Sequence, residues 1–301
     1  MKIYLVNANE NWVIDRLVAE WYEDNPEIST HSPYDADIIW IISPWKWREL
    51  PFQLLASKKV VTTLHHIDPA KFNLNDFRGR DNITDIYHVP NRFTRDFIKQ
   101  YTTKKIKVIS YWGNDKLWFP LNKVECRHEF KLPSDKFLIG SFQRDTEGFD
   151  LKTPKLAKGP DIFCDMVEKY YKENENIEVI LGGWRRQYII NRLKSNNIPY
   201  HYFDKPSFEV INKLYNCLDL YIVGSRHEGG PQAIIECALT KTPLISTNVG
   251  IAENILSPTS IFTLANKNAY PDPEHSFINV QKYIKSSWFT QYKNFFKEIM
   301  A

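Results

Sequence analysis

Two glutamates, Glu228 and Glu236, stand eight positions apart around a Gly-Gly-Pro turn that runs from Gly229 to Pro231. The apolar run before them, Leu220–Val223, is typical of a buried strand, and the apolar spacing after them predicts a helix with Pro231 at its first position. Carboxylates accept hydrogen bonds from sugar hydroxyls, glycines admit a ligand close to the backbone, and a helix N-terminus attracts anions. The stretch therefore predicts a site for a sugar joined to a phosphate.

Further small and polar residues are predicted to line the same crevice, some from this turn and some from the end of another strand. They are Ser225, Gly230, Gln232, Gly182 and Gly183. The plain alternative is an ordinary strand, turn and helix that carries a solvated pair of glutamates.

The order of strand, Glu228-Gly-Gly-Pro, helix, Glu236 and a following strand resembles the E-x7-E element of retaining glycosyltransferases with the GT-B fold, most of all glycosyltransferase family 4. The resemblance implies an α/β protein of two Rossmann-like domains whose parallel sheets face a central cleft. It also implies that Glu236 binds the nucleotide ribose and that Glu228 faces the donor sugar.

Two cations fit the donor diphosphate in the same resemblance. Arg144 follows a predicted strand, at the carboxyl end where open α/β sheets bind ligands, and Lys158 precedes a predicted helix. The insert 145–157 lengthens the spacing between them, so Lys155 competes with Lys158 for this role. Solvated surface cations are the alternative for both.

A histidine pair ends another predicted strand, in the order Thr63-Leu64-His65-His66. The resemblance implies a catalytic histidine here that contacts the transferred sugar, and His65 fits that place best. The sequence does not separate His65 from His66, and a structural histidine pair is the alternative.

Alternating strand and helix patterns run along both halves of the chain and predict parallel sheets covered by helices. We expect an acceptor-side domain over residues 1–115 and a nucleotide-sugar domain over residues 116–280. The tail 281–301 resembles a final helix that crosses back onto the first domain.

The composition is that of a globular protein, with 301 residues, 43% hydrophobic content and 25% charged content. A net charge of +3 is too small to indicate nucleic-acid binding. The four cysteines are far apart and predicted to be reduced and buried, and no apolar run reaches membrane-spanning length, so we expect a cytoplasmic protein. Trp45 and Trp47 invite three interpretations: stacking on an acceptor sugar, contact with a membrane surface, or simple packing.

The resemblance implies a hexosyltransferase that moves a sugar from a nucleotide-diphosphate sugar to a hydroxyl acceptor with retention, and the fixed cations lead us to expect that it needs no metal or other cofactor. The pair Asp35-x-Asp37 precedes a strand, at the wrong end for a ligand, and is interpreted as structural. A sugar-nucleotide epimerase and a non-catalytic GT-B protein that binds nucleotide sugars are the alternatives. The nucleotide base, the sugar, the acceptor and the oligomeric state stay open.

Overall fold

The computed structural model describes residues 1–10 and 13–301. Its contacts divide the chain into two compact units, residues 1–110 with 286–301, and residues 111–285. The sequence pattern predicts divisions at residues 115 and 280, five residues after the first of these boundaries and five before the second.

The first unit holds five parallel strands and the helices between them. The bounds are β1 Ile3–Leu5, α1 Val13–Asp24, β2 Ile38–Ile41, α2 Phe52–Ala56, β3 Lys59–Thr63, α3 Leu74–Asp81, β4 Ile86–Val89, α4 Arg92–Ile98 and β5 Lys105–Val108. The strands lie in the order β1-β2-β3-β4-β5, and Ser29 pairs with Ile3 on the outer edge of β1. After β1 the chain first pairs Ser29 with one edge of that strand and then pairs β2 with the other edge. Because connections to opposite edges of a parallel strand cross opposite faces, helices cover both faces of the sheet.

The second unit holds six parallel strands. The bounds are α5 Lys123–Glu129, β6 Phe137–Ser141, α6 Pro160–Glu173, β7 Ile177–Gly182, α7 Gln187–Ser195, β8 Tyr200–Phe203, α8 Phe208–Cys217, β9 Leu220–Val223, α9 Gln232–Thr240, β10 Leu244–Thr247, α10 Ala252–Ile255, β11 Ile261–Phe262 and α11 Pro273–Val280. The strand order is β11-β10-β9-β6-β7-β8. This is the order of a Rossmann sheet, so the second unit is an α/β domain with an open parallel sheet.

The last helix, α12 Lys285–Met300, places all but its first residue in the first unit. Its aromatic residues pack on Trp21 of α1 and Trp40 of β2, with Phe296 5.6 Å and 5.2 Å from the two ring centroids. Neighbouring residues Ile39 and Ile41 of β2 pack against α2 on the opposite face. Because successive side chains of β2 point to opposite faces, this strand contributes to a hydrophobic core on each face of the sheet.

Local predictions were correct for several elements and off by a few residues in others. A serine before a helical pattern predicts an N-cap at Ser207, and its side chain accepts from the Val210 amide of α8 at 3.4 Å. All four cysteines are buried and free. The apolar run at residues 107–110 predicts a strand there, but β5 covers residues 105–108. Pro231 is not the first residue of α9 but the residue before it, because its ψ of 111° is not helical. Among the described helices, none has the length and apolarity to cross a membrane.

Candidate functional site

The strongest candidate site lies in the second unit, where the direction of the strand order reverses between β6 and β9. These two strands pair in parallel although β7 and β8 separate them in sequence. Such a switch point leaves a crevice between the loops at the carboxyl ends of the two strands. The loop after β6 carries Arg144 and Lys158, and the loop after β9 carries Ser225 and Glu228.

Two glycines bring these loops together. Gly159 has a φ of 62°, a left-handed conformation that favours glycine, and a Cβ at this position would lie 1.8 Å from the Gly224 carbonyl oxygen. On the same stretch, the amides of Arg226 and His227 donate to the Ala157 carbonyl oxygen at 2.8 Å and 3.2 Å. The contact between Gly159 and Gly224 thus fixes where the neighbouring Lys158 projects.

Glu228 and Lys158 form an ion pair at this crossing, between Lys158 Nζ and Glu228 Oε1. The Glu228 side chain is 6% exposed and the Lys158 side chain 21%. Gln143 Nε2 donates to the same carboxylate oxygen at 3.5 Å, and the Ser225 hydroxyl does so at 3.4 Å. The predicted residues Glu228, Lys158 and Ser225 are therefore together, with Gln143 as a fourth member that the sequence analysis did not single out.

Two more cations lie beside this group. Burial, together with repulsion from Lys158 and Arg144, lowers the pKa of Lys155 to about 8, and the charge of Glu228 acts in the opposite direction. Arg144 is half-buried, and its Nε donates to the Thr146 carbonyl oxygen at 2.8 Å. The choice between Lys155 and Lys158 is therefore not exclusive, since both charges belong to one electropositive cluster.

Glu236 lies apart from these contacts, in the buried face of α9. The Tyr215 hydroxyl donates to its Oε2 at 2.8 Å, and the whole Glu236 residue is 8% exposed. Burial raises the pKa of Tyr215 well above its usual value, and the negative charge of Glu236 adds to that effect. The two glutamates of the eight-residue spacing thus have different partners.

The predicted glycine positions are close to other backbone or to rings. A Cβ on Gly182 would lie 2.9 Å from the Phe142 ring, and one on Gly183, whose φ is 93°, would lie 3.1 Å from the Phe142 carbonyl oxygen. Gly229, Gly230 and Pro231 pack against Gly250, and Gln232 begins α9. The close approach at Gly182 and Gly183 is made by the protein's own Phe142.

The predicted histidines belong to the first unit. His65 and His66 follow β3, half-buried, and His65 Nε2 donates to the Ile42 carbonyl oxygen at 2.8 Å. In a neutral ring this bond makes Nδ1 the acceptor nitrogen. Trp45 is 48% exposed with its ring 5.9 Å from His65, whereas Trp47 is partly buried against Gly79 and the core under α2.

No group of three or more His, Cys, Asp and Glu side chains within residues 1–10 and 13–301 is arranged to hold a metal ion. Asp37 instead accepts from the Lys2 amide at 2.7 Å and lies 3.5 Å from the N-terminal amine.

With the geometry in place, three comparisons with known proteins bear on the site. Residues 151–271 match the family model of glycosyl transferases group 1. That stretch includes Lys158, Glu228 and Glu236. Uncharacterized protein 356 of Sulfolobus islandicus rod-shaped virus 1 is 24% identical over 255 residues, 79% of this chain and 68% of that protein.

Solved structures share the fold at low identity. HepE of Anabaena in complex with UDP and glucose superposes with a TM-score of 0.75 at 13% identity over 99% of this chain and 100% of that one. Sucrose-phosphate synthase of Thermosynechococcus elongatus gives 0.69 at 15% identity, over 89% of this chain and 74% of that one. Together with the family match, these similarities support a glycosyltransferase.

Proposed function

We propose that this protein is a retaining glycosyltransferase that moves a hexosyl group from a nucleotide-diphosphate sugar to a hydroxyl acceptor. The observation that carries the proposal is the buried ion pair of Glu228 with Lys158 at the switch point of the second sheet. HepE, which has the same fold, was solved with UDP-glucose, and a UDP-sugar is therefore the first donor to test.

The chemistry we propose uses the cations of the cluster on the leaving group. The bond between the anomeric carbon and the diphosphate oxygen breaks, the acceptor oxygen bonds to that carbon from the same face, and the acceptor proton passes to the departing diphosphate. Arg144 and Lys158 stabilise the negative charge that develops on this diphosphate, with Lys155 beside them. Fixed side-chain cations would supply this stabilisation without a metal ion.

The remaining roles follow the same proposal. Glu228 holds hydroxyls of the donor sugar, and Ser225 lines the same pocket. The backbone of Gly229 and Gly230 approaches the phosphates. Glu236 holds the ribose hydroxyls. A contact of His65 or His66 with the transferred sugar is part of the same proposal. A glycan, a lipid-linked sugar or a small molecule would serve as the acceptor.

Four buried free thiols suit a reducing compartment, so we propose a cytoplasmic location. A lipid-linked acceptor would bring the protein to a membrane surface, where the exposed Trp45 is an aromatic side chain suited to the interface.

The test is release of nucleoside diphosphate from UDP-glucose and other nucleotide sugars, with and without EDTA, followed by NMR of the anomeric configuration of the product. We expect turnover with retention that survives EDTA. Glu228→Gln should lower turnover by about a hundredfold, because the sugar loses its positioning contact. Glu274→Gln is the matched control, since Glu274 also pairs with a lysine, Lys241, but its side chain is 68% exposed.

The alternatives give different results in the same assay. A non-catalytic protein would bind a nucleotide sugar and release no diphosphate with any acceptor. An epimerase would change the sugar of the donor while the diphosphate bond stays intact. Inversion at the anomeric carbon would contradict the retaining mechanism, and loss of turnover in EDTA that added Mg²⁺ or Mn²⁺ restores would contradict metal independence.

A further inference from the structure

Trp184 is an exposed tryptophan surrounded by cations, at the carboxyl edge of the second sheet. Trp184 directly follows Gly183 in the loop after β7, and the residue is 45% exposed. Arg185 lies 5.1 Å from the ring centroid, Arg144 5.5 Å and Lys205 5.7 Å. An aromatic ring with this much exposure beside three positive charges suits a ligand that is both flat and anionic.

The three strands β6, β7 and β8, which are neighbours in the sheet, build this cluster. Arg144 follows β6, Trp184 and Arg185 follow β7, and Lys205 follows β8. Arg185 and Lys205 have φ values of 61° and 44°, a left-handed backbone that residues with a side chain rarely adopt. With these backbone conformations, the side chains of Arg185 and Lys205 both lie beside the Trp184 ring.

Arg144 joins this cluster to the switch-point site. Its guanidinium contacts the Trp184 ring, and its charge also acts on Lys155, which in turn is affected by Lys158 and Glu228. Arg144 therefore links the aromatic ring to the cations, and Lys158 links the cations to a carboxylate. A nucleotide-diphosphate sugar has the complementary order of flat base, anionic diphosphate and hydroxyl-bearing sugar.

A second line of contacts leads from Glu236 to the loop that carries Trp184. The Tyr215 hydroxyl donates to Glu236, the Tyr215 ring lies 4.9 Å from Phe142, and Phe142 packs on Gly182 and Gly183. Glu236, the residue proposed for the ribose, is thus connected through two aromatic side chains to the backbone that carries Trp184.

We propose that Trp184 binds the base of the donor nucleotide by stacking, and that Arg185 and Lys205 hold the ring at the edge of the site. This inference rests on the proposed function, because it names the part of the donor that this edge of the sheet recognises. It makes Trp184 a base-binding residue that accepts pyrimidines and purines alike, since every base has a flat π-face that can stack.

The experiment is isothermal titration calorimetry, which measures the affinity of the full chain for UDP, GDP, ADP and inorganic pyrophosphate. Trp184→Ala should weaken the best nucleoside diphosphate by about tenfold or more, the usual effect of losing one aromatic platform for a base. Trp184→Phe should retain most of the affinity, since a smaller ring still stacks. Pyrophosphate has no base, so its affinity should be the same in Trp184→Ala as in the wild type.

The control is Tyr270→Ala, which removes another exposed aromatic side chain of the second unit, 74% exposed, and should leave the titrations unchanged. Circular dichroism and thermal unfolding show that each variant is folded. Equal nucleotide affinity in Trp184→Ala and wild type overturns the stacking role and leaves the glycosyltransferase proposal standing. A parallel loss for pyrophosphate also overturns it, because the effect would then come from the cations. A wild-type protein that binds none of the nucleotides overturns both proposals.

Discussion

At the scale of single residues, the site concentrates positive charge where burial makes it costly. The charges of Lys158 and Arg144 repel that of Lys155, and the carboxylate of Glu228 acts against this repulsion. Like charges gathered in a half-buried crevice lower stability unless a ligand of opposite charge arrives. This is what a site that must hold a departing diphosphate requires, because its cations are in place before the charge develops.

The lowered pKa of Lys155 predicts how stability depends on pH. The pKa is about 8 in the fold against 10.5 for an ordinary solvated lysine, so the unfolded chain binds the proton more tightly and the charged lysine costs stability below pH 8. As the pH rises from about 8 to 10.5, the folded lysine is already neutral and this cost disappears. At pH 7, the free energy of unfolding of Lys155→Met should therefore exceed that of the wild type by about 2 kcal/mol. Urea titrations from pH 7 to pH 10.5 should show the gain fall to near zero.

Lys152→Met provides the comparison, since Lys152 is an exposed lysine of the same insert. Its effect on the free energy of unfolding should be small and should not vary with pH. If Lys155→Met raises the free energy of unfolding by the same amount up to pH 10.5, the methionine side chain packs better than the lysine and the charge of Lys155 plays no part.

The residues of the site were predictable to different degrees. Glu228 and Lys158 carry local signals, a turn before a helix in each case, and the structure pairs them. Gln143 and Trp184 carry none, because a glutamine or a tryptophan after a strand is ordinary until its neighbours in space are known. Lys155 and Lys158 could not be ranked from spacing, since the contribution of each depends on how the insert 145–157 folds.

At the scale of elements, the local patterns predicted most strands and helices but not their order in the sheet. Runs such as Phe137–Ser141 and Leu220–Val223 are apolar because both faces of a parallel strand are covered. Their pairing as neighbours depends on one long crossover, from β8 to β9, after which the strand order runs in the opposite direction, and no local signal encodes that choice. The meeting of Gly159 with Gly224, 65 positions apart, is equally invisible before the strands are ordered.

This glycine contact predicts a large effect of adding one methyl group. In Gly159→Ala the new Cβ would lie 1.8 Å from the Gly224 carbonyl oxygen on a backbone with φ of 62°, so the two loops must separate. We expect a loss of about 3 kcal/mol or more in the free energy of unfolding, from clash and left-handed strain together. Separation of the loops should also remove Lys158 from Glu228 and weaken the binding of pyrophosphate.

Gly148→Ala separates the cost of a left-handed backbone from the cost of a steric clash. Gly148 also has a left-handed φ, 72°, but a Cβ there would meet only the flexible Asp150 side chain at 3.5 Å. It should lose about 1 kcal/mol, the usual cost of a left-handed backbone with a side chain. Losses of similar size for the two variants would show that the Gly159 and Gly224 backbones can separate at little cost.

At the scale of the whole molecule, the chain forms two units with separate hydrophobic cores, and the second is continuous in sequence whereas the first is not. Residues 286–301 belong to the first unit, although they follow the second unit along the chain. The lysine and aromatic spacing of this tail predicts a helix, but the helix that forms has its own partners in Trp21 and Trp40. Only the structure shows why the first third of the chain holds buried tryptophans on one face of its sheet.

The first unit should therefore depend on the end of the chain for its stability. Phe296→Ala removes a fully buried ring that contacts both Trp21 and Trp40, and we expect a loss of about 3 to 5 kcal/mol. Hydrogen exchange followed by mass spectrometry should show faster exchange in β1, β2 and β3, while β6, β7 and β9 of the second unit change less. Met300→Ala, at an exposed position of the same helix, should leave exchange unchanged. Equal acceleration in both sheets would mean that α12 stabilises the molecule as one cooperative unit, and no acceleration would mean that the aromatic cluster adds little to the first core.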